Sequence, residues 1–184
     1  MLGSNKKGFT LIEILIVAAI IGLMTAVVIP NFRRLLPKRE RQEFLTKLNA
    51  LMRFAWQHAL TTRKVHQIEF DTEKRLVWIS MTTGTFKDGN PEVVPIKGAY
   101  LPTSLKIPKQ IEIVNFIIEG FDEWTRGGKR KAAYFFIMPD GLTQSVTINF
   151  LDKKHTNVAG KPRQFGLVLN PFNAQFKVYD SFQK

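Results

Sequence analysis

A single carboxylate interrupts a long apolar stretch near the N-terminus. Residues 9–29 contain Glu13 among side chains that are almost all apolar, and Lys6 and Lys7 stand shortly before them. As an α-helix this stretch would be about 31 Å long, which matches the hydrocarbon core of a bilayer. A carboxylate in such surroundings is costly unless a positive charge pairs with it. Glu13 is therefore a candidate functional residue, and charge pairing is the chemistry we expect of it.

The apolar stretch allows three interpretations. A cleaved secretory signal needs small residues at its cleavage site, whereas branched residues follow Ala26 here. A plain membrane anchor accounts for the length but gives no reason for Glu13, unless that acid only reaches for the lipid headgroups. The third interpretation is cleavage between Gly8 and Phe9, which would keep the apolar helix. The basic residues before the stretch then mark the cytoplasmic side, and the rest of the chain lies outside.

Two groups of basic residues are candidates for binding an anionic partner. The chain has 27 Lys and Arg against 15 Asp and Glu, and its formal net charge is +12. Basic side chains on loops with aromatic neighbours can hold a DNA backbone, although solvated loops and loops that meet an acidic protein are the common alternatives. The first group lies close to Trp124 and consists of Arg126, Lys129, Arg130 and Lys131. The second group consists of Lys153, Lys154, Lys161 and Arg163.

Catalytic chemistry has no support in the sequence. Gly127-Gly128-Lys129 lacks the upstream glycine and the downstream hydroxyl residue of a phosphate-binding loop. There is no cysteine, so disulfides and thiolate metal sites are excluded. The three histidines share no ligand-like spacing, and we expect His58, His66 and His155 to be ordinary surface or boundary residues. We predict that the protein is not an enzyme, uses no cofactor and holds no metal.

A second helical segment follows the apolar stretch. Apolar residues recur there at spacings of three and four, which indicates an amphipathic helix that ends near Thr61. They are Phe44, Leu45, Leu48, Leu51, Met52, Ala55, Trp56 and Ala59. Pro30 and Pro37 precede them, and prolines inside a helix kink it or melt it locally. A basic collar, in contact with solvent or lipid phosphate, is expected from Arg33, Arg34, Lys38, Arg39 and Arg41.

The rest of the chain has the pattern of β-strands joined by turns. About seven strands are predicted, with no helical period between them, and the fold class is therefore α+β with an antiparallel sheet or sandwich. Residues 84–91 are predicted to be a loop, and Pro139-Asp140-Gly141 a tight turn. The predicted organisation is a leader (1–8), a transmembrane and assembly helix (9–30), an amphipathic helix (31–61) and a β domain (62–184). The strands are predicted at residues 65–70, 75–81, 110–118, 133–138, 145–150, 165–169 and 175–179.

These features resemble a known family. Lys6-Lys7-Gly8-Phe9-Thr10-Leu11-Ile12-Glu13 before an apolar run resembles the signal of type IV pilins and of the pseudopilins of type II secretion. The order of the later segments, with Phe-Phe-Ile-Met-Pro-Asp-Gly at residues 135–141, is similar to the H-type minor pseudopilins and the FimT-like minor pilins. The final hairpin departs from these relatives, because Pro171, Phe172 and Asn173 stand where a Thr-Gly turn is common.

The resemblance implies a pilin-like fold and a structural role. A prepilin peptidase would cleave after Gly8 and N-methylate Phe9, and Glu13 would pair with the N-terminal amine of a neighbouring subunit during assembly. The protein would sit in the bacterial inner membrane by a single pass, with its C-terminal domain in the periplasm, and would then join other pseudopilins in a pseudopilus of type II secretion. The alternative is a minor type IV pilin, for which nucleic acid is a possible partner.

Overall fold

The computed structural model describes residues 10–87, 89–96, 102–124, 132–156 and 160–184, without the side chains of residues 27–38, 86, 90 and 91. One helix precedes a series of strands that are all paired antiparallel. The elements are α1 (Leu11–Thr62), β1 (His66–Asp71), β2 (Leu76–Lys87), β3 (Asn90–Pro95), β4 (Ser104–Lys106), β5 (Ile111–Ile118), β6 (Phe121–Asp122), β7 (Ala132–Ile137), β8 (Val146–Thr156), β9 (Pro162–Asn170) and β10 (Gln175–Tyr179).

The strands form two sheets. In the first sheet the order is β3-β2-β1-β7, and β4 also pairs with β2. In the second sheet the order is β10-β9-β8-β5-β6. The predicted hairpins β1–β2 and β9–β10 are present, with residues 72–75 and 171–174 as their turns. The α+β class with an N-terminal helix and antiparallel sheets is therefore confirmed.

The described residues contain ten strands, more than the about seven that the pattern predicted. The predicted loop over residues 84–91 belongs largely to β2 and β3, which are joined with a register shift between Thr82 and Phe86. The extra strands β3, β4 and β6 lie at sheet edges or are very short. Prolines are tolerated at such edges, and Pro91, the last residue of the predicted loop, lies in β3.

Two compact units divide the chain, Met1–Arg39 and Glu40–Lys184. The described part of the first unit is the N-terminal portion of α1. The helix has no break between Leu11 and Thr62, so Pro30 and Pro37 do not melt it locally. Within the part of the chain that the structure describes, no helix is long and apolar enough to cross a membrane.

The second unit has a single aromatic and aliphatic core. The predicted apolar face of α1 contributes Phe44, Leu48, Leu51, Met52, Ala55 and Ala59, all buried. Rings from the two sheets meet in this core, with centroids 5.2 Å apart for Phe70 and Phe116 and 6.4 Å apart for Phe135 and Phe176. Every buried hydrophobic residue among those described lies at or after Phe44. Among the residues whose side chains are described, the hydrophobic core therefore begins at Phe44.

The predicted turn at residues 139–141 is also present, and it anchors α1. The Gly141 N–H donates to the Met138 carbonyl over 2.9 Å, and the Trp56 indole N–H donates to the Gly141 carbonyl over 2.9 Å. Gly141 has a φ of 86°, and a Cβ there would lie 2.9 Å from Trp56 Nε1. A glycine is therefore required at this point both by the backbone conformation and by the close approach of the helix.

Candidate functional site: the N-terminal end of the helix

Glu13 lies in the first turn of α1 and closes the start of the helix with Thr10. The Glu13 N–H donates to Thr10 Oγ1 over 3.3 Å, and the Thr10 N–H donates to Glu13 Oε2 over 3.4 Å. This reciprocal arrangement is a capping box, which satisfies N–H groups that have no partner inside the helix. The pattern Thr-x-x-Glu at residues 10–13 was a signal for it that sequence reasoning overlooked. Glu13 thus has an intramolecular role in addition to the predicted intermolecular one.

The apolar residues on both sides of Glu13, at positions 11–24, are exposed. Leu15 is 60% exposed, and its large apolar neighbours are exposed to a similar degree. Burial of a large aliphatic side chain contributes about 1.5–3 kcal/mol, so this surface is strongly favoured to leave water. The exposed residues are Leu11, Ile12, Ile14, Leu15, Ile16, Val17, Ile20, Ile21, Leu23 and Met24.

Several predicted site residues lie outside the described residues. They are the proposed cleavage and methylation positions, Gly8 and Phe9, and the first basic group, Arg126, Lys129, Arg130 and Lys131. Their predicted roles therefore stay predictions. The second basic group lies within the described residues, and two of its members contact acidic side chains. Lys153 Nζ lies 2.7 Å from Glu112 Oε2, and Arg163 Nη2 lies 2.6 Å from Asp180 Oδ1.

Arg41 is not part of a solvated collar, contrary to the prediction. Its side chain is buried in the domain, 8% of the residue is exposed, and Nη1 lies 3.9 Å from Oδ2 of the fully buried Asp152 in β8. The guanidinium also stacks over the Phe165 ring at 5.6 Å. Burial lowers the pKa of Arg41, and Arg163 lowers it further, while Asp152 and Asp180 raise it. Helical periodicity gave no sign of this pair, because Asp152 is distant in the sequence.

Two of the histidines meet, although the sequence suggested no relation between them. His58 Nδ1 in α1 lies 2.6 Å from His66 Nε2 in β1, and His66 Nδ1 lies 2.9 Å from the Lys64 carbonyl oxygen. The expectation of a surface or boundary residue is wrong for His66, which is fully buried. Its burial lowers its pKa, the nearby His58 lowers it further, and the bond with the Lys64 carbonyl raises it. The rings meet because the chain reverses at residues 63–65.

No group of three or more potential metal ligands of the His, Cys, Asp or Glu type occurs among the described residues. The geometry around Glu13 offers one charge, a helix cap and an adjoining apolar surface. Such an arrangement can bind another apolar helix or a lipid environment, and it can pair with a cation. This combination is suited to assembly.

Comparison with known proteins agrees with this interpretation of the N-terminal segment. Residues 3–29 match the family model of the prokaryotic N-terminal methylation motif. A segment of 47 residues is 47% identical to the type IV major pilin protein PilA of Myxococcus xanthus (strain DK1622). That segment is 26% of this chain and spans 21% of the pilin's length. In its N-terminal segment the chain is thus type IV pilin-like, and the predicted resemblance is confirmed there.

The fold was also compared with solved structures. Two structures of the minor pseudopilin EpsH from the type II secretion system of Vibrio cholerae are 12% identical in sequence to this chain. Their TM-scores are 0.46 and 0.45, with 78% and 82% of this chain and 95% of each of those chains covered.

Proposed function

We propose that the protein is a minor pseudopilin of a type II secretion system, a structural subunit that assembles through its N-terminal helix into a periplasmic pseudopilus that drives protein export. The observation that carries the proposal is the exposed apolar surface of residues 11–24, in a chain whose described core begins at Phe44. A domain that is complete without this surface leaves it available for the membrane before assembly and for neighbouring helices afterwards. The methylation motif over residues 3–29 supports the same role.

In this proposal processing prepares the helix for assembly. A prepilin peptidase cleaves between Gly8 and Phe9 and methylates the new amine of Phe9. Residues 9–30 hold the subunit in the inner membrane by a single pass, and the C-terminal domain lies in the periplasm. During assembly the Glu13 carboxylate neutralises the Phe9 amine of a neighbouring subunit. Each charge is expensive alone in apolar surroundings, and the two together are tolerable.

The experiment that tests this role separates the charge of Glu13 from its capping function. Glutamine can still accept the Thr10 bond in a capping box, whereas alanine cannot, and both substitutions remove the charge. We therefore expect Glu13→Gln and Glu13→Ala both to be cleaved normally, and both to lower incorporation into filaments by at least about tenfold, since the loss of one partner from a buried ion pair is strongly destabilising. Leader cleavage on a gel and the subunit content of sheared filaments are the measurements.

Two outcomes would contradict the charge-pairing role. Normal filament incorporation and secretion by both variants would remove Glu13 from assembly altogether. Normal incorporation by Glu13→Gln with a defect only in Glu13→Ala would assign the residue to the helix cap. Thr10→Ala is the matched control, because it removes the other half of the capping box and leaves the carboxylate.

A minor type IV pilin is the second candidate, favoured by the 47% identity with a type IV major pilin over 47 residues. Neighbouring genes for a secretin and a secretion ATPase would support the pseudopilin, and competence genes would support the pilin. A pilin for DNA uptake would shift duplex DNA in electrophoresis, and added salt would weaken the complex. Alanines in place of Arg126, Lys129, Arg130 and Lys131 should abolish the shift, and Lys64→Ala should not. No shift at low salt would contradict DNA binding.

A further inference from the structure

A groove in the second unit separates α1 from the segment that contains β4. It has a volume of about 730 Å³. One wall is formed by the side of α1 that carries Phe44, Leu51 and Phe54, and the opposite wall includes Leu105 of β4 and Pro108. We call this feature the α1–β4 groove. Its size is within the usual range for ligand sites, and its walls are mainly apolar.

The backbone of β4 has a free edge beside this groove. In the ladder of β2 and β4 the Ile79 N–H donates to the Thr103 carbonyl, and the Ile107 N–H donates to the Arg75 carbonyl, both over 2.9 Å. Antiparallel strands alternate between bonded and non-bonded pairs, and these two bonds show that Ser104 and Lys106 belong to the non-bonded pairs. Their N–H and C=O groups therefore point away from β2.

These outward backbone groups have no hydrogen-bond partner within the described ranges of the chain. Ser104, Leu105 and Lys106 all line the groove. An exposed strand edge of this kind is a template for pairing with an extended chain. Binding by strand addition uses the backbone for affinity and alternate side chains for specificity.

The charges around the groove specify the kind of chain that fits. Glu43 is paired with Lys47, with 2.6 Å between Oε1 and Nζ, whereas Glu40 accepts a hydrogen bond from the uncharged Gln110 amide and keeps its negative charge. Three lysine ammonium groups at the groove form no ion pair within the described residues, and they are those of Lys106, Lys109 and Lys154. The groove therefore offers an apolar wall, a strand edge and an excess of positive charge.

We propose that the α1–β4 groove binds an extended segment of a partner protein, in which apolar and acidic residues alternate, by strand addition to β4. Side chains on one face of the added strand contact the apolar wall of α1, because successive side chains of a strand point to opposite faces. The acidic side chains on the other face meet Lys106 and Lys109. This recognition is a property of the domain and does not depend on the type of filament that the subunit joins.

The test measures binding of short peptides to the full-length protein in a nonionic detergent by fluorescence anisotropy. The probe is a labelled peptide of about ten residues with alternating valine and glutamate, long enough for a strand of common length. A valine–lysine peptide of the same length should bind at least about tenfold more weakly, because like charges would face each other. A valine–glutamate peptide with N-methyl groups on alternate backbone nitrogens should also lose affinity if strand addition is the mode.

Variants at one position separate the charge from the backbone bond. Lys106→Thr removes the ammonium group and keeps the backbone N–H. It should weaken binding of the valine–glutamate peptide about 2- to 5-fold, which is the contribution of an exposed charge pair. Lys106→Pro removes the outward N–H as well, and a proline is compatible with an edge strand. The loss of this N–H should weaken peptide binding by about a further 5-fold. Lys64→Thr is the matched control on an exposed lysine away from the groove, and it should change nothing.

The proposal can be overturned by changes in the peptide and by changes in the protein. Equal binding of the two peptides would remove the charge preference, and equal affinities of Lys106→Thr and Lys106→Pro would remove strand addition. Equal binding of the N-methylated peptide would do the same without any change in the protein. Displacement of the probe by a peptide of residues 11–26 would show that the groove takes the helix of a second copy instead.

Discussion

The two ends of α1 carry apolar residues in different patterns and use them differently. From residue 11 to residue 24 the apolar side chains follow one another without a polar face, and Leu15 is 60% exposed. From Phe44 to Ala59 they recur on one face, and Leu48 is fully buried. A helix with one apolar stripe finds its partner in its own domain, whereas a helix that is apolar all round needs apolar surroundings elsewhere. The spacing of apolar residues thus indicates which end serves the fold and which end is left for the assembly that we propose.

Polar residues on α1 show the same division. At the N-terminal end the side chain of Glu13 bonds with Thr10, its one partner among the described residues. At the other end Asn49 reaches β10, where its Oδ1 accepts from the Phe176 N–H over 2.8 Å and its Nδ2 donates to the Phe176 carbonyl over 3.2 Å. Asn49 occupies backbone groups at the open edge of β10, which would otherwise be available to another chain. The domain end of the helix is therefore tied to the sheets by polar bonds as well as by packing.

The sharpest test of this division compares matched leucines at the two ends. Leu48→Ala should lower the free energy of unfolding of the domain by about 3 kcal/mol, since it opens a cavity in a packed core. Leu15→Ala should change it by less than about 0.5 kcal/mol, as expected of a position outside the core. Urea unfolding of the full-length protein in detergent, followed by tryptophan fluorescence, measures the domain alone, because all three tryptophans, Trp56, Trp78 and Trp124, belong to it.

In an assay of filament assembly, the order of the two effects should be reversed, with the larger effect in Leu15→Ala. Leu15→Ala removes apolar surface that the proposed filament buries, so incorporation into filaments should fall. A large loss of domain stability in Leu15→Ala would contradict the division between the two ends of α1. A Leu48→Ala protein as stable as the wild type would contradict the core position of Leu48.

A smaller effect is expected from the ion pair that fixes the domain end of the helix. Arg41→Ala should lower the free energy of unfolding by about 2–3 kcal/mol, because it leaves Asp152 buried without its nearby cation. Lys47→Ala is the control on the same helix. It breaks an exposed pair with Glu43, and such pairs contribute at most about 1 kcal/mol. Equal losses in the two variants, measured by the same unfolding experiment, would show that burial of the Arg41–Asp152 pair has no energetic consequence.

Local patterns in the sequence were sufficient for the helix and for most strands. Helical spacing identified the buried face from Phe44 to Ala59, and alternation identified both strands of the β1–β2 and β9–β10 hairpins. The signal for β3 was obscured by Pro91, because prolines are compatible with edge strands but suggest loops when the pairing is unknown. Whether a strand is an edge depends on its neighbours in the sheet, and this information is not local.

The candidate site, like the strands, could be predicted from the sequence only where the signal was local. Glu13 was evident because an acid among apolar residues is rare, and its bond with Thr10 could have been found from the Thr-x-x-Glu spacing. The burial of Arg41 could not be found, since its partner Asp152 comes from β8. The contact of His58 with His66 was hidden for the same reason, because it depends on how tightly the chain turns after α1.

The smallest expected effect is a pH dependence at the domain end of the helix. Burial lowers the pKa of His66, so the folded state favours the neutral ring, whereas in the unfolded chain the ring titrates near 6.5. The stabilisation is therefore complete above about pH 6.5, and it is lost as the pH falls below that value toward the lower pKa of the folded state. Between about pH 7.5 and pH 5.5 the free energy of unfolding should therefore fall, by at most about 1.4 kcal/mol, which is the limit for a ring that stays neutral in the folded state.

The His58–His66 bond gives the effect a structural cause. One ring must donate and the other must accept over the 2.6 Å between Nδ1 and Nε2, and full protonation of both rings leaves no acceptor. His66→Met should remove this part of the pH dependence, whereas His155→Met, at a histidine away from this contact, should keep it. An unchanged dependence in His66→Met would contradict the assignment.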